Sequence, residues 1–334
     1  RIRAEDLLRE GTGQDTGDFR EVAGQENAKR GAEIAAAGFH NLLMIGPPGV
    51  GKSMVAGRIP GILPPLTLKE SLEVTGIFSV AGLLPPGQAL ITRRPFYAPH
   101  HTVTQAALIG GGSGIPRPGM VSLAHRGVLF LDELPEFRKN VLDGMRQPME
   151  ERKVQIARSA GMVTYPSDFI LVAAMNPCPC GYYPDRNKCR CTQPQIEKYL
   201  GKISGPILDR IDLCVELHPV DILHLQKTKT EKSSEDMKRQ IRHARERQAE
   251  RFAGTDCRFN GDIRSAQVEE YCPLGEEGQK VMEQLYRTLQ LSARVYHRIL
   301  KTARTIADLE DREEITGEHL LEAACYRPSE TYWN

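Results

Sequence analysis

The segment from Gly46 to Ser53 has the residue types and spacing of a loop that binds phosphate groups. It reads Gly-Pro-Pro-Gly-Val-Gly-Lys-Ser and fits the pattern G-x-x-x-x-G-K-[ST], although an unrelated glycine turn between a strand and a helix would read similarly. Backbone N–H groups and the N-terminus of a following helix would face the negative charge of the phosphates. Lys52 should reach the β- and γ-phosphates, and Ser53 should ligate Mg²⁺. The candidate nucleotide-binding residues here are Gly46, Pro47, Pro48, Gly49, Val50, Gly51, Lys52, Ser53 and Met54.

Polar side chains follow two other apolar runs that we expect to be buried strands. Asp132 and Glu133 come directly after residues 128–131, and Asn176 follows residues 169–175. At a strand end beside the phosphate loop, Asp132 fits a second ligand to Mg²⁺, and Glu133 fits a group that orients or deprotonates the attacking water. The Asn176 amide could hold that water against the γ-phosphate. Taken alone, the carboxylates mark only a strand end, and an asparagine before proline marks only a turn.

Four cysteines lie within fourteen positions, directly after Asn176 and Pro177. Cys178 and Cys180 form one pair, and Cys189 and Cys191 form a second pair. Four thiolates could close a tetrahedral zinc site, which would be structural because no ligand position stays open. The C-x-C spacing is tighter than usual, and four reduced cysteines in a surface loop are the alternative.

The elements that must position these groups follow from the apolar pattern. Runs at 42–45, 128–131 and 169–175 are separated by helical stretches, which predicts an α/β fold with a parallel sheet between helices. The Gly/Pro-rich stretch at about 60–120 predicts an insertion with turns and short elements. Helices are expected at 25–37 and 234–252, and a helical C-terminal region at 277–289, 292–309 and 316–324. The charged helix at 234–252 is expected to be an exposed spacer rather than a DNA contact.

Composition sets limits on the class of protein. With 334 residues, 40% hydrophobic and 26% charged, the chain has the profile of about two ordinary globular domains. The formal net charge of +1 means that any binding to nucleic acid must come from local patches. No apolar run approaches the roughly 18 residues of a membrane span. Eight cysteines are too few for a disulfide scaffold, so we expect a reducing, cytoplasmic compartment.

The quoted motifs resemble the core of AAA+ ATPases. Longer strings, such as Phe-Tyr-Ala-Pro-His-His at 96–101 and Leu-Asp-Arg-Ile-Asp at 208–212, are similar to the magnesium-chelatase-like subfamily, in particular its competence-associated branch. The similarity runs from about residue 21 to 327. It implies an AAA+ P-loop αβα core with a parallel sheet, followed by a C-terminal all-helical lid.

The resemblance also implies a role for each matching residue. Lys52 and Ser53 would be Walker A, Asp132 and Glu133 Walker B, and Asn176 sensor 1. Arg210 would be the arginine finger that reaches a neighbouring subunit, although a surface ion pair with Asp209 or Asp212 is the alternative. Arg294 would be sensor 2, with Arg298 as the rival position, and Val22, Gly24 and Gln25 would lie near the adenine. The implied cofactors are ATP or ADP with Mg²⁺, and an arginine supplied in trans implies a hexameric ring.

The domain boundaries follow from the same comparison of motifs. We expect a tail or linker from a missing upstream domain at 1–20, the ATPase core at 21–225 with insertions at about 60–120 and 150–166, a linker and charged helix at 226–262, and the lid at 263–334.

Three functions remain open from the sequence. A predicted hairpin at about 151–166 carries Lys153 and Arg158, which could touch a phosphate backbone. The alternative is a solvated hairpin edge that its charges keep soluble. The first function, which the resemblance implies, is that of an ATP-driven motor on branched or single-stranded DNA, a branch-migration helicase. The second is the motor subunit of a chelatase that inserts Mg²⁺ into a porphyrin, and the third is a protein-remodelling chaperone.

Overall fold

The structure is a computed structural model that describes residues 16–112, 116–158, 161–220, 232–328 and 332–333. Its internal contacts divide the chain into two compact units. The first unit comprises Arg1–Gly17, Ala56–Pro60 and Pro64–Arg210, and the second comprises Asp18–Val55, Gly61–Leu63 and Ile211–Asn334.

The strands are β1 Leu42–Ile45, β2 Phe96–Tyr97, β3 Gly110–Gly111, β4 Arg117–Pro118, β5 Val128–Leu131, β6 Lys153–Arg158, β7 Gly161–Pro166, β8 Ile170–Met175 and β9 Leu213–Glu216. The helices are α1 Glu26–Gly38, α2 Lys52–Ile62, α3 Leu68–Ala81, α4 Gln105–Ile109, α5 Met120–Leu123, α6 Lys139–Gly144, α7 Arg146–Glu151, α8 Gln193–Leu200, α9 Gly205–Leu208, α10 Ser234–Arg251, α11 Val268–Tyr271, α12 Glu276–Thr288, α13 Ala293–Leu309 and α14 Gly317–Cys325. Short 3₁₀ helices span Phe19–Glu21, Leu134–Glu136, Asn260–Asp262 and Ser265–Gln267.

The strands pair in parallel within each unit, which confirms the predicted α/β fold with a parallel sheet. In the first unit β5 pairs in parallel with β2 and with β8, where Val128 lies opposite Ile170. In the second unit β1 pairs in parallel with β9, where Leu42 lies opposite Leu213. Strands β1, β5 and β8 are buried throughout, as a parallel sheet covered by helices requires.

Helix α3 is the main element of the insertion, and sequence analysis predicted only short elements there. Thr67 caps the helix: its side chain accepts from the Glu70 backbone, and the Glu70 side chain accepts from the Thr67 backbone. Such a capping box contributes on the order of 1 kcal/mol to helix stability. The Thr-x-x-Glu spacing was the sequence signal for this helix, and the flanking prolines and glycines obscured it.

The hairpin of β6 and β7 was predicted, and its inner face packs on the same insertion. Val154 and Ile156 are buried, and the Tyr165 hydroxyl donates to the carbonyl of Pro116 at 2.7 Å. A Cβ atom on Gly110 would lie 2.6 Å from Ile156, so a residue with a side chain does not fit at this position in β3.

A buried ionic network lies at the base of the hairpin. Asp168 pairs with Arg152 at 3.0 Å and with Arg126 at 2.7 Å. Arg126 also pairs with Glu73 of α3 at 2.8 Å. The network therefore joins the insertion helix, the chain entering β5 and the base of the hairpin by charge-assisted hydrogen bonds.

In the second unit the charged helix α10 is packed rather than exposed as a spacer, so that expectation was wrong. Its Met237, Ile241, Ala244 and Gln248 side chains are buried. Arg245 stacks on the Phe259 ring at 3.7 Å and donates to the Ala36 carbonyl at the end of α1. Because arginine can bury its stem and pair its head group, a strongly basic helix can pack as a structural element.

The helical C-terminal region is confirmed. Helix α13 is buried over most of its length, and its Asp308 accepts two hydrogen bonds from Arg251 of α10 at 2.6 and 2.7 Å. None of the helices within the described ranges is long and apolar enough to cross a membrane.

Candidate functional site

The backbone of the phosphate loop requires its glycines. Gly49 and Gly51 have φ values of 78° and 97°, in the left-handed region that favours glycine. A Cβ atom on Gly46 would lie 2.6 Å from the Leu217 carbonyl oxygen that follows β9. The loop leads directly into α2, so its N–H groups belong to a helix N-terminus.

Lys52 is the buried cation of this loop. Its Nζ donates to the carbonyl oxygens of Gly46 at 2.5 Å and Pro47 at 2.9 Å. Ser53 and Met54 are exposed on the first turn of α2. The lysine thus lies folded onto its own loop, and contact with a β- or γ-phosphate would exchange these carbonyls for phosphate oxygens.

The structure brings Gln25, one of the residues proposed for the adenine side, to the phosphate loop. The Gln25 side-chain amide donates to the carbonyl of Val50 at 3.2 Å and to that of His218 at 2.7 Å. Val22 is buried, and a Cβ atom on Gly24 would meet the Val220 side chain at 3.3 Å. Gln25 therefore ties the loop before α1 both to the phosphate loop and to the chain that leaves β9.

The two candidate sensor 2 arginines have different environments. Arg298 is buried, and its guanidinium donates to the carbonyl of Ile211 at 2.7 Å. Arg294 lies exposed in the first turn of α13. Between the two, Arg294 has the accessible guanidinium and Arg298 supports the packing of the second unit.

In the first unit Asp132 and Glu133 form a tight turn at the end of β5. Glu133 has φ 52°, unusual for a residue with a side chain, and its N–H donates to Asp132 Oδ1 at 2.9 Å. The Glu133 carboxylate is exposed and pairs with His101 Nδ1 at 3.0 Å. Backbone strain of this kind is found preferentially at functional sites.

Asn176 follows β8 and contacts a residue that sequence analysis did not identify. Its backbone forms a hydrogen bond with the phenolic oxygen of Tyr199 in α8. Burial and the negative charge of Glu136 raise the pKa of Tyr199 above its usual value, so the phenol stays protonated.

Arg210 is paired within the chain. Its guanidinium hydrogen bonds to the carboxylate of Glu150 at the end of α7 and to the Pro206 carbonyl. The alternative predicted for Arg210 was an ion pair with Asp209 or Asp212; the structure pairs its guanidinium with Glu150, sixty residues away.

The four cysteines meet as the sequence predicted. Their sulfur atoms all lie within 4.8 Å of one another. Burial opposes ionisation of Cys180, but hydrogen bonds from the Tyr182 backbone and neighbouring thiols lower its pKa to about 6. Burial raises the pKa of Cys189, and burial together with neighbouring thiols raises that of Cys191 to about 12. Thiolate ligands are what Zn²⁺ prefers in structural sites.

The candidate DNA contacts lie at the two ends of β6. Lys153 is opposite Pro166 at the base of the hairpin and is exposed, with its Nζ 4.0 Å from Glu151. Arg158 is opposite Gly161 next to the tip, and its side chain is outside the described part of the chain. The two residues are therefore about five residue steps apart, roughly 17 Å along the strand.

Two profiles of one protein family together match almost the whole chain. The profile of magnesium chelatase, subunit ChlI, matches residues 18–225, and the profile of the C-terminal part of that subunit matches residues 231–327. The chain belongs to the magnesium chelatase ChlI family. This is a family of AAA+ ATPases, as the resemblance of the motifs implied.

Three relatives of the chain carry different protein names. The chain is 46% identical to uncharacterized protein YifB of Salmonella typhimurium over 93% of this chain and 60% of that protein. It is 43% identical to competence protein ComM of Haemophilus influenzae over 95% and 61%. It is 25% identical to the magnesium-chelatase 67 kDa subunit of Chlorobaculum parvum over 66% and 34%. The chain thus spans about three fifths of the length of YifB and ComM.

Proposed function

We propose that the chain hydrolyses ATP as one subunit of a hexameric ring that moves branched or single-stranded DNA. The observation that carries the ATP-dependent part is the phosphate loop, with its left-handed glycines and with Gln25 tied to Val50. The DNA-dependent part is supported by the similarity to a relative named as a competence protein. The chain covers 61% of that relative, and we propose that the activity of the longer protein depends on this part.

The residues divide the chemistry of hydrolysis between them. The loop N–H groups and Lys52 neutralise the phosphate charge, which is the main requirement of phosphoryl transfer. Ser53 offers a hydroxyl oxygen and Asp132 a carboxylate oxygen, the ligand types that suit Mg²⁺. Glu133 orients or deprotonates the attacking water, and Asn176 holds it.

Two arginines complete the nucleotide site in this proposal. Arg294 acts as sensor 2 in the same subunit, which its exposed position on α13 allows. Arg210 acts in trans on the nucleotide of a neighbouring subunit, where a guanidinium stabilises the charge of the γ-phosphoryl oxygens. Glu150 holds Arg210 in the single chain, so ring assembly would exchange a carboxylate partner for a phosphate partner.

A mixing experiment tests the role of Arg210. Lys52→Ala and Arg210→Ala should each lower ATP hydrolysis by at least about a hundredfold, since each removes a group that contacts the transferred phosphate. If Arg210 acts in trans, mixing the two inactive variants restores part of the activity, because a mixed interface has an intact Lys52 and an intact Arg210. Mixtures that stay inactive, although the variants assemble together by mass photometry, contradict the role.

A chelatase motor is the second candidate function, and the family assignment favours it. The ChlI description and the Chlorobaculum relative point to ATP-driven insertion of Mg²⁺ into a porphyrin. Identity to that relative is 25%, against 43% to the competence protein. Protein remodelling is the third candidate. ATP hydrolysis that is insensitive to DNA would favour either of these over the DNA motor.

A further inference from the structure

Three of the distances between the cysteine sulfur atoms are close to those around a single tetrahedral metal ion, and all four sulfur atoms lie within 4.8 Å of one another. The Sγ of Cys178 lies 3.4 Å from that of Cys180 and 3.8 Å from that of Cys189, and Cys180 and Cys189 are 3.6 Å apart. A Zn²⁺ ion with Zn–S bonds of about 2.3 Å has tetrahedral edges of about 3.8 Å. A disulfide would instead need about 2.05 Å, and all eight cysteines are free.

The surrounding chain supports thiolate ligands. The N–H groups of Gly181 and Tyr183 donate to the Cys178 sulfur at 3.2 and 3.4 Å. Hydrogen bonds of this kind orient ligands and stabilise their negative charge. Four thiolates around Zn²⁺ leave a net charge of −2. Arg186 and Lys188 between the cysteine pairs and Arg190 within the second pair compensate this charge, since together with Asp185 they sum to +2.

Residues other than the cysteines also stabilise the segment from Cys178 to Cys191. Arg186 donates to the Cys191 carbonyl at 3.2 Å and lies over the Tyr183 ring at 4.9 Å. The Cys189 N–H donates to the Asp185 carbonyl at 2.7 Å, which fixes the turn before the second pair. The four ligand atoms are therefore brought together by turns and hydrogen bonds of the chain itself.

We propose that Cys178, Cys180, Cys189 and Cys191 bind one Zn²⁺ ion, which fixes the chain between Asn176 and α8. Cys178 is two residues after Asn176 at the exit of β8. Cys191 is next to Thr192, which caps α8 through Gln195 at 2.9 Å. Tyr199 of α8 returns to the Asn176 backbone. A metal at the cysteines thus closes a loop of chain that begins and ends at Asn176, which makes the cysteines positioning residues for it.

Metal analysis tests the zinc site without reference to ATP hydrolysis. The protein, purified in the presence of a reductant, is expected to hold about one zinc ion per chain, and Cys189→Ser is expected to lower this to near zero. The matched control is Cys325→Ser, an exposed cysteine outside the cluster, which should keep the full zinc content. Equal zinc content in wild type and Cys189→Ser would overturn the proposal, and so would a wild type that takes up no zinc after reconstitution.

A titration of the wild-type protein tests the zinc site without a variant that could fail to fold. Stepwise addition of a mercurial reagent should release the zinc as four thiols react, and replacement by Co²⁺ should give the absorption of a tetrahedral cobalt thiolate. A cobalt spectrum without thiolate bands, or iron in place of zinc, would contradict the assignment.

The positioning role of the cysteines rests on the proposed function of Asn176, and it is tested separately by the rate of ATP hydrolysis. Cys189→Ser and Asn176→Ala should each lower kcat for ATP hydrolysis by about tenfold while nucleotide affinity stays unchanged. The double variant should lose little more than either single variant, because the two changes act on one element. Additive losses would contradict the positioning role and leave the zinc site standing. A wild type without ATPase activity would instead be a failure of the proposed function.

Discussion

The Nδ1 atom of His101 lies 3.0 Å from the Oε2 atom of Glu133. His101 follows β2, and Glu133 follows β5, so the parallel pairing of these two strands brings both to one place. The His101 ring also stacks on His100 at 4.1 Å between centroids and packs edge-on against Phe137. The imidazole is therefore held in place, and it orients the carboxylate proposed to activate water.

His101→Ala is expected to lower kcat for ATP hydrolysis about tenfold, with little change in KM. The reason is that the Glu133 carboxylate loses the polar contact with the imidazole that orients it, while the phosphate loop is untouched. His101→Gln, which keeps a polar N–H group at this position, should recover part of the loss. Steady-state kinetics on both variants checks this. An alanine variant with wild-type kcat would mean that His101 does not orient Glu133.

Gln25→Ala is expected to weaken ATP and ADP binding by about tenfold. Its amide makes hydrogen bonds to the Val50 and His218 carbonyls, each worth about 1 kcal/mol, and their loss frees the phosphate loop from the chain after β9. Isothermal titration calorimetry measures the change. Gln193→Ala is the matched control, because that exposed glutamine bonds only to side chains at the surface. Equal affinities for both variants would contradict the assignment of Gln25 to the nucleotide site.

Asp168→Asn is expected to lower the free energy of unfolding by about 3 kcal/mol. The change removes the buried negative charge that pairs with Arg126 and Arg152, and it leaves two arginines without compensation. Denaturant unfolding measures the loss. Asp185→Asn serves as the control, since its carboxylate is exposed in the cysteine loop and should change stability little. A similar loss in the two variants would argue against the network at the hairpin base.

Stability is expected to fall as the pH is lowered from about 6.5 to about 4, because of His125. Burial, together with the positive charge of Arg126, lowers the pKa of His125 from 6.5 to about 4, and its Nδ1 accepts from the Asp168 N–H at 3.0 Å. In this window the unfolded chain binds a proton that the folded chain does not, so stability rises with pH and is lost on acidification, by up to about 3 kcal/mol.

The comparison of wild type with His125→Asn isolates this effect. The variant should be less stable at neutral pH, but its free energy of unfolding should change less between pH 6.5 and pH 4.5. Glu73 also has a lowered pKa: burial raises it, but hydrogen bonds from Arg126 lower it more. Its contribution is lost mainly as the pH falls below its unfolded value of 4.5, at the acid end of the range. Parallel curves for the two proteins would show that His125 does not carry the pH dependence.

The features that could be predicted from the sequence are those that a short stretch of residues determines by itself. The phosphate loop, the strands that precede Asp132 and Asn176, and the helices of the C-terminal region each lie within a short segment with a clear signal. Strand β9 was not predicted because Leu213–Glu216 is short and is recognised only by its pairing with β1. The cysteine cluster was predicted because its four thiols fall within fourteen residues.

Contacts between distant segments were not predictable from one sequence. His101 and Glu133 meet only because β2 and β5 pair, and β2 is two residues long. Arg210 pairs with Glu150, sixty residues away, and this partner depends on how α7 packs. The basic residues of α10 led to the wrong prediction of an exposed spacer, because composition does not show that Arg245 stacks on the Phe259 ring.

The most direct test of the central claim is ATP hydrolysis at low salt, measured with and without four-way-junction DNA. For the DNA motor, DNA should raise the rate several-fold, added salt should remove the stimulation, and Arg210→Ala should abolish it. The salt dependence is expected because contacts to a phosphate backbone release counterions. A rate that DNA leaves unchanged, in a protein that hydrolyses ATP, would contradict the claim and favour a motor that acts on a protein partner.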